Sequence, residues 1–227
     1  MATELLTTRD LGKAFARQAG LGQTVARRVP HRGRPPERSH EFRHVDFSLR
    51  SGECVALVGG NGSGKSTFLR CLGGVLAPTE GQITQVDGVA ALLSHGFGAY
   101  EDLAVGINMT LAQQLVGARL ADARARLAAV AETSALSDRL YGSTSHLSEG
   151  MRAKVALGAL AHTPFRVALL DETLNHVDTE FKDFYFRLTR DWIAEGRALV
   201  MTSHDDNLLD RFATRKLRFE NGTLVAW

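Results

Sequence analysis

The stretch Cys54-Val55-Ala56-Leu57-Val58-Gly59-Gly60-Asn61-Gly62-Ser63-Gly64-Lys65-Ser66-Thr67-Phe68-Leu69-Arg70-Cys71-Leu72 reads as an apolar strand, a glycine loop and the start of a helix. A phosphate-binding loop requires that context around the string G-x-x-x-x-G-K-[ST], which Gly59 to Ser66 supply. Glycines let the backbone wrap a polyphosphate so that successive N–H groups point at its oxygens. A helix starting near Lys65 adds the positive end of its dipole. Lys65 can then reach the β- and γ-phosphates, and the Ser66 hydroxyl can ligate Mg²⁺. The expectation is a nucleoside triphosphate site built from Gly59, Gly60, Asn61, Gly62, Ser63, Gly64, Lys65, Ser66 and Thr67.

A second segment, Val167-Ala168-Leu169-Leu170-Asp171-Glu172, is four apolar residues ending in two carboxylates. A buried strand of this kind is expected to deliver its acids beside the phosphate loop of the neighbouring strand. Asp171 would hold Mg²⁺, which favours one or two carboxylates with water and substrate phosphates. Glu172 would polarise the attacking water.

The rest of the chain bounds the answer without deciding it. Its 227 residues are ample for a buried core, and 44% hydrophobic with 23% charged residues is ordinary for a globular protein. A net charge of +2 gives no ground for nucleic-acid binding. Cys54 and Cys71 form no C-x-x-C pair and are expected to be reduced, buried thiols. Met1 to Glu4 lacks the form of a signal peptide, and no run of about eighteen apolar residues occurs, so any membrane part is expected on another chain.

Along the chain, Glu4 to Phe15 reads as a weak strand with a turn at Gly12. Residues 17–44 read as a flexible loop, because arginines surround Pro30, Pro35 and Pro36; it is either solvated or in contact with anionic lipid headgroups. Val45, Phe47 and Leu49 alternate as in a half-buried strand. Further strands are expected at Gly81 to Val86 and Val89 to Leu93, and helix from Ile107 to Ala131 and Ser148 to Ala161. Strand Val167 to Leu170, helix Thr179 to Ala194 and strand Ala198 to Thr202 restore the β/α alternation of a parallel sheet. A hairpin turning at Asn221-Gly222 closes the sequence.

Between the two chemical motifs lies Leu147-Ser148-Glu149-Gly150-Met151, which resembles the LSGGQ signature of ATP-binding cassette (ABC) ATPases. Thr202-Ser203-His204-Asp205 is similar to that family's switch-histidine segment, and Asp178 to its D-loop aspartate. The resemblance spans nearly the whole chain and implies an α/β fold: a P-loop NTPase of ABC type, with a RecA-like parallel-sheet core, an antiparallel β part and an inserted helical subdomain. It implies a single nucleotide-binding domain, core about 1–93 and 162–227 and helical subdomain about 94–161. Two such domains would pack head to tail, most simply as a homodimer, with ATP held between one chain's phosphate loop and Ser148 and Gly150 of the other. Glu172 is then the general base, His204 holds the attacking water in line, and the membrane part is a pair of polytopic permease subunits at the cytoplasmic face of the inner membrane.

Four features narrow the resemblance to exporters of polysaccharide, O-antigen and teichoic acid: Gly150-Met151 followed by Arg152, the Asp178-x-x-Phe181 spacing, the Pro- and Arg-containing sequence ahead of the phosphate loop, and Leu92 to Gly98 with Leu103 and Asn108. Exporters of drugs, peptides or lipids are the first alternative. A soluble cassette acting on ribosomes or DNA is less favoured, since the chain holds one cassette and no sustained heptads. Three positions depart from the family pattern. Glu149 stands where glycine or serine is usual, Gly60 where proline is common, and no glutamine occurs between Gln85 and Gln113, so the Q-loop residue is missing near Ser94 and His95. Phe15, after Lys13-Ala14, fits either an adenine-stacking aromatic or a core residue.

Overall fold

The computed structural model describes residues 3–16, 38–93, 100–203 and 206–227. Two sheets carry the molecule. Strands β1 (Glu4–Ala16), β2 (Arg38–Arg50) and β4 (Glu80–Gln85) form an antiparallel sheet in the order β2-β1-β4. Strands β3 (Cys54–Val58), β5 (Val89–Leu92), β6 (Val167–Asp171), β7 (Ala198–Thr202), β8 (Arg215–Glu220) and β9 (Thr223–Ala226) form the other, in the order β5-β6-β7-β3-β8-β9. All its pairings are parallel except the terminal hairpin β8–β9.

The central strands are apolar because both faces are covered. Every residue of β3 and β7 is buried. On one face the antiparallel sheet packs against them, with Phe68 of helix α1 (Lys65–Leu72) edge-on to Phe42 and Phe47 at 5.7 and 5.6 Å. Such aromatic pairs contribute about 1 kcal/mol each beyond their buried area. On the other face lie helices α5 (Glu149–Ala161), α6 (Thr179–Ala194) and α7 (Asp206–Phe212). In α6, Phe181, Tyr185, Thr189 and Trp192 recur at helical spacing and are its buried face. Between β5 and β6 run α2 (Val105–Leu115), α3 (Leu120–Ala125), α4 (Leu127–Thr133) and α5; Val105 and Met109 of α2, Val130 of α4 and Val155 of α5 cluster together with Leu147.

Several sequence expectations need correction. The basic loop does not extend to residue 44: β2 begins at Arg38, and Arg38, Ser39, His40 and Phe42 pair with β1. Partners across the sheet, absent from any local propensity, extend that strand. Gly12 is not a turn; β1 passes through it and pairs there with Glu80. The helical stretch expected from Ile107 to Ala131 is three helices, broken at Gly117, whose φ is +103°, and at Arg126. Ser148 caps α5 instead of belonging to it. The part of the basic segment at 17–37 lies outside the described residues.

Candidate functional site

The phosphate loop leaves β3 through Gly59, with φ +146°, and enters α1 through Gly64, with φ +109°. A side chain at Gly59 would put its Cβ 2.7 Å from Phe219 O and 2.9 Å from Ser63 Oγ, so the loop's path is closed to other residues here. Gly60 has open space around it. No side chain caps α1, which leaves its first N–H groups directed into the loop. Lys65 is buried and donates from Nζ to Gly59 O at 2.7 Å and Gly60 O at 3.0 Å. Burial pulls its ammonium below the usual lysine range, while the charges of Glu172 and Asp171 oppose that shift. Asn61, Gly62, Ser63, Gly64, Lys65, Ser66 and Thr67 line a cavity of about 240 Å³ whose wall also includes Glu172 and Glu41.

The two carboxylates reach this site by a different route from the one expected. Strand β6 is not adjacent to β3; β7 lies between them. Thr202, at the end of β7 and paired with Asp171, bridges the gap. Its Oγ1 donates to Asp171 Oδ1 at 2.7 Å and accepts from Glu172 N at 3.0 Å, fixing one carboxylate by its side chain and the other by its backbone. Glu172 itself adopts φ +56°, a left-handed conformation that costs a non-glycine residue about 1 kcal/mol. The turn that follows, Thr173–His176, is thereby started at an angle that brings Glu172 to the loop cavity.

At the other end, Ser148 is the N-cap of α5, its Oγ accepting from Met151 N at 3.3 Å. The hydroxyl proton is left to donate outward. Ser148 and Glu149 are exposed and Gly150 half-buried on the first turn. Asp178 caps α6 by accepting from Phe181 N at 2.9 Å, and it pairs with Lys154 of α5. The Lys154 hydrogen bond first, then the Phe181 N–H, hold the Asp178 carboxyl below its ordinary range. Lys154 also lies over the Phe181 ring, 5.2 Å from its centre.

Comparison with known proteins fits this arrangement. The ABC transporter family model matches residues 42–175, more than half of the chain. The chain belongs to the ABC transporter family. The O-antigen export system ATP-binding protein of Yersinia enterocolitica is 30% identical over 181 residues, which are 80% of this chain and 76% of that protein. The teichoic acids export ATP-binding protein of Lactococcus lactis is 26% identical over 82% of this chain and only 40% of its own length. Among solved structures, a dimeric ATP-binding cassette in a post-hydrolysis state bound to ADP and Pi superposes with a TM-score of 0.78 at 18% identity, covering 97% of this chain and 96% of that one. That last likeness concerns the fold.

As an ABC cassette the chain is an ATPase, and its structure groups some expected residues while leaving others apart. The phosphate loop, Asp171 and Glu172 come together. Ser148, Gly150 and Asp178 lie outside the residues lining the loop cavity. Phe15 is 39% exposed near the end of β1, which removes the core reading, and Lys13 Nζ lies 5.0 Å from its ring centre. His204, Ser94 and His95 lie outside the described residues. Three residues that the structure places beside the expected ones escaped sequence reading. Thr202 was read only as part of the segment leading to His204, with no role of its own, while Lys154 and Glu41 were not singled out at all. A larger groove, about 660 Å³ between β1, β2 and the β8–β9 hairpin, contains none of the motif residues. Among the described residues no helix is long and apolar enough to cross a membrane.

Proposed function

We propose that this chain is the ATP-hydrolysing subunit powering export of a cell-envelope polysaccharide or related polymer, of capsule, O-antigen or teichoic-acid type, through polytopic membrane partners. The observation that carries the chemistry is the common wall shared by Lys65 and Glu172, with Asp171 held by Thr202. The export role is supported by likeness to proteins of O-antigen and teichoic acid export. In this reading residues 94–161 are the helical subdomain and the remainder the core.

Lys65 and the loop N–H groups bind and orient the β- and γ-phosphates of ATP. The Ser66 hydroxyl and the Asp171 carboxylate are hard oxygen donors suited to Mg²⁺, and the Thr202 bond to one carboxylate oxygen fixes the direction of the other. Ser66 and Asp171 would hold Mg²⁺, which when bound would supply charge neutralisation to the phosphates. Glu172 accepts the proton of the attacking water. Phe15, exposed beside Lys13, stacks on adenine. Ser148 and the Gly150 amide donate to the γ-phosphate of a second copy, Asp178 lies at the same interface, and His204 assists in line with the water. ATP therefore favours the closed dimer and hydrolysis releases it.

Exposed apolar side chains gather at the start of α2: Tyr100, Ile107 and Tyr141, the last 98% exposed. Val105 N and Gly106 N donate to Gly142 O and Leu140 O, placing Tyr141 against that helix end. This surface receives the permease, and the chain sits peripherally on the cytoplasmic face of the membrane. The test is purification of the Glu172→Gln protein from its host with ATP in mild detergent. Hydrolysis should fall on the order of 10²-fold while ATP still binds, and a stoichiometric polytopic membrane protein should accompany the chain. Ribosomal or DNA-repair components without a membrane chain would overturn the reading.

A further inference from the structure

Arg152 stands in the first turn of α5, four residues after Ser148, and donates from Nη1 to Glu101 Oε1 at 2.7 Å. The arginine side chain is 18% exposed and its partner 62%. Its Nε is buried and has no hydrogen-bond partner among the described residues. Stability does not account for such a residue. A cation in the first turn opposes the helix dipole, an unpaired buried donor is costly, and a pair with one exposed member contributes little. A methionine would fill the space without any of these penalties.

Glu101 belongs to the segment that carries the exposed apolar surface. Its carbonyl accepts from Ser145 N at 3.2 Å and Ser143 Oγ at 3.1 Å, in the turn leading through buried Leu147 to Ser148. Beside it, Tyr100 exchanges two hydrogen bonds with Asn108 of α2, at 2.9 and 2.8 Å, and the same Asn108 Nδ2 donates to Thr144 Oγ1 at 2.7 Å. The loop at 100–104 is thus rigidly tied to the turn before the signature, and Arg152 adds a second tie beyond it.

We propose that Arg152 and Glu101 form a positioning link that holds the first turn of α5, with Ser148 and Gly150, in register with the Tyr100–Ile107 surface. The link rests on the nucleotide-sandwich reading above. It sets the angle at which the Ser148 hydroxyl and Gly150 amide meet a second copy's γ-phosphate, and it transmits displacement of the apolar surface to that turn. Because the contact is a single bond, a lysine can replace the arginine.

The experiment uses the full chain carrying Glu172→Gln, with Mg-ATP as the probe. Light scattering gives the ATP concentration at half-dimerisation, and a fluorescent ATP analogue on dilute monomer gives intrinsic affinity. Arg152→Met and Glu101→Gln should each raise the half-dimerisation concentration about tenfold, with monomer affinity changed less than about twofold. Arg152→Lys should stay within about threefold of the parent, and added salt should narrow the difference between parent and Met variant. Dimerisation at the parental concentration in the Met and Gln variants overturns the link, as does a Lys variant as impaired as the Met variant. Absence of any ATP-dependent dimer in the parent fells the sandwich reading and the link with it.

Discussion

The phosphate loop and the signature turn each present the N-terminus of a helix, yet they are held in opposite ways. At α1 the backbone does the work: positive-φ glycines, no capping side chain, a fully buried strand behind and Phe68 locked among aromatics. At α5 side chains do it: Ser148 caps, Glu149 supplies first-turn negative charge, and Arg152 and Lys154 anchor the helix to Glu101 and Asp178. The first helix end keeps its N–H groups open for an anion, whereas the second fills its cap and offers a hydroxyl proton. Glu149 suits a helix N-terminus by its interaction with the dipole. The comparison teaches that one helix end is shaped by the core's backbone while the other is set by side-chain contacts near the surface.

The largest effect should come from breaking the backbone-shaped end. Gly59→Ala forces a Cβ against Phe219 O in a conformation that costs about 3 kcal/mol or less to hold, so ATP affinity by calorimetry should fall by up to about a hundredfold. Gly60→Ala, with open space, should leave affinity within about threefold. Next comes Ser148→Ala, which removes the α5 cap. A loss of about 1 kcal/mol should lower Tm by about 2–4 °C, with ATP binding to the monomer retained and hydrolysis reduced.

A smaller effect should follow pH at Asp178. Its folded pKa lies below the ordinary carboxylate value of 3.8, so its contribution is complete above that value and is lost as pH falls through the folded one. Asp178→Asn should therefore be less stable than the parent near neutrality, and denaturant titrations of the two should converge in acid beneath that value. Least of all should change on treating the native chain with a thiol reagent near pH 8. Burial pushes the Cys54 thiol up to about 12 and raises Cys71 as well, so both should react only on unfolding.

The backbone-shaped end was the more legible in sequence, for a physical reason. A loop that wraps phosphate through its own backbone needs glycines at consecutive local positions, and a buried parallel strand needs an unbroken apolar run; both are written in adjacent residues. The strand at Ala198–Thr202 and the helix at Thr179–Ala194 were bounded correctly because their periodicity is local. The β2 start at Arg38 was not, since Ser39, His40 and Phe42 are held in strand by β1.

By itself, then, the sequence determined the phosphate loop, the Asp171-Glu172 pair and the β/α order, all of which depend on neighbours within a few positions. Tertiary structure alone decided that β7 separates β6 from β3, that Thr202 serves both carboxylates, that Glu41 joins the loop cavity and that Arg152 meets Glu101. Those placements join residues as much as 131 apart in sequence, and no local propensity or spacing encodes which distant side chains the folded sheets bring together.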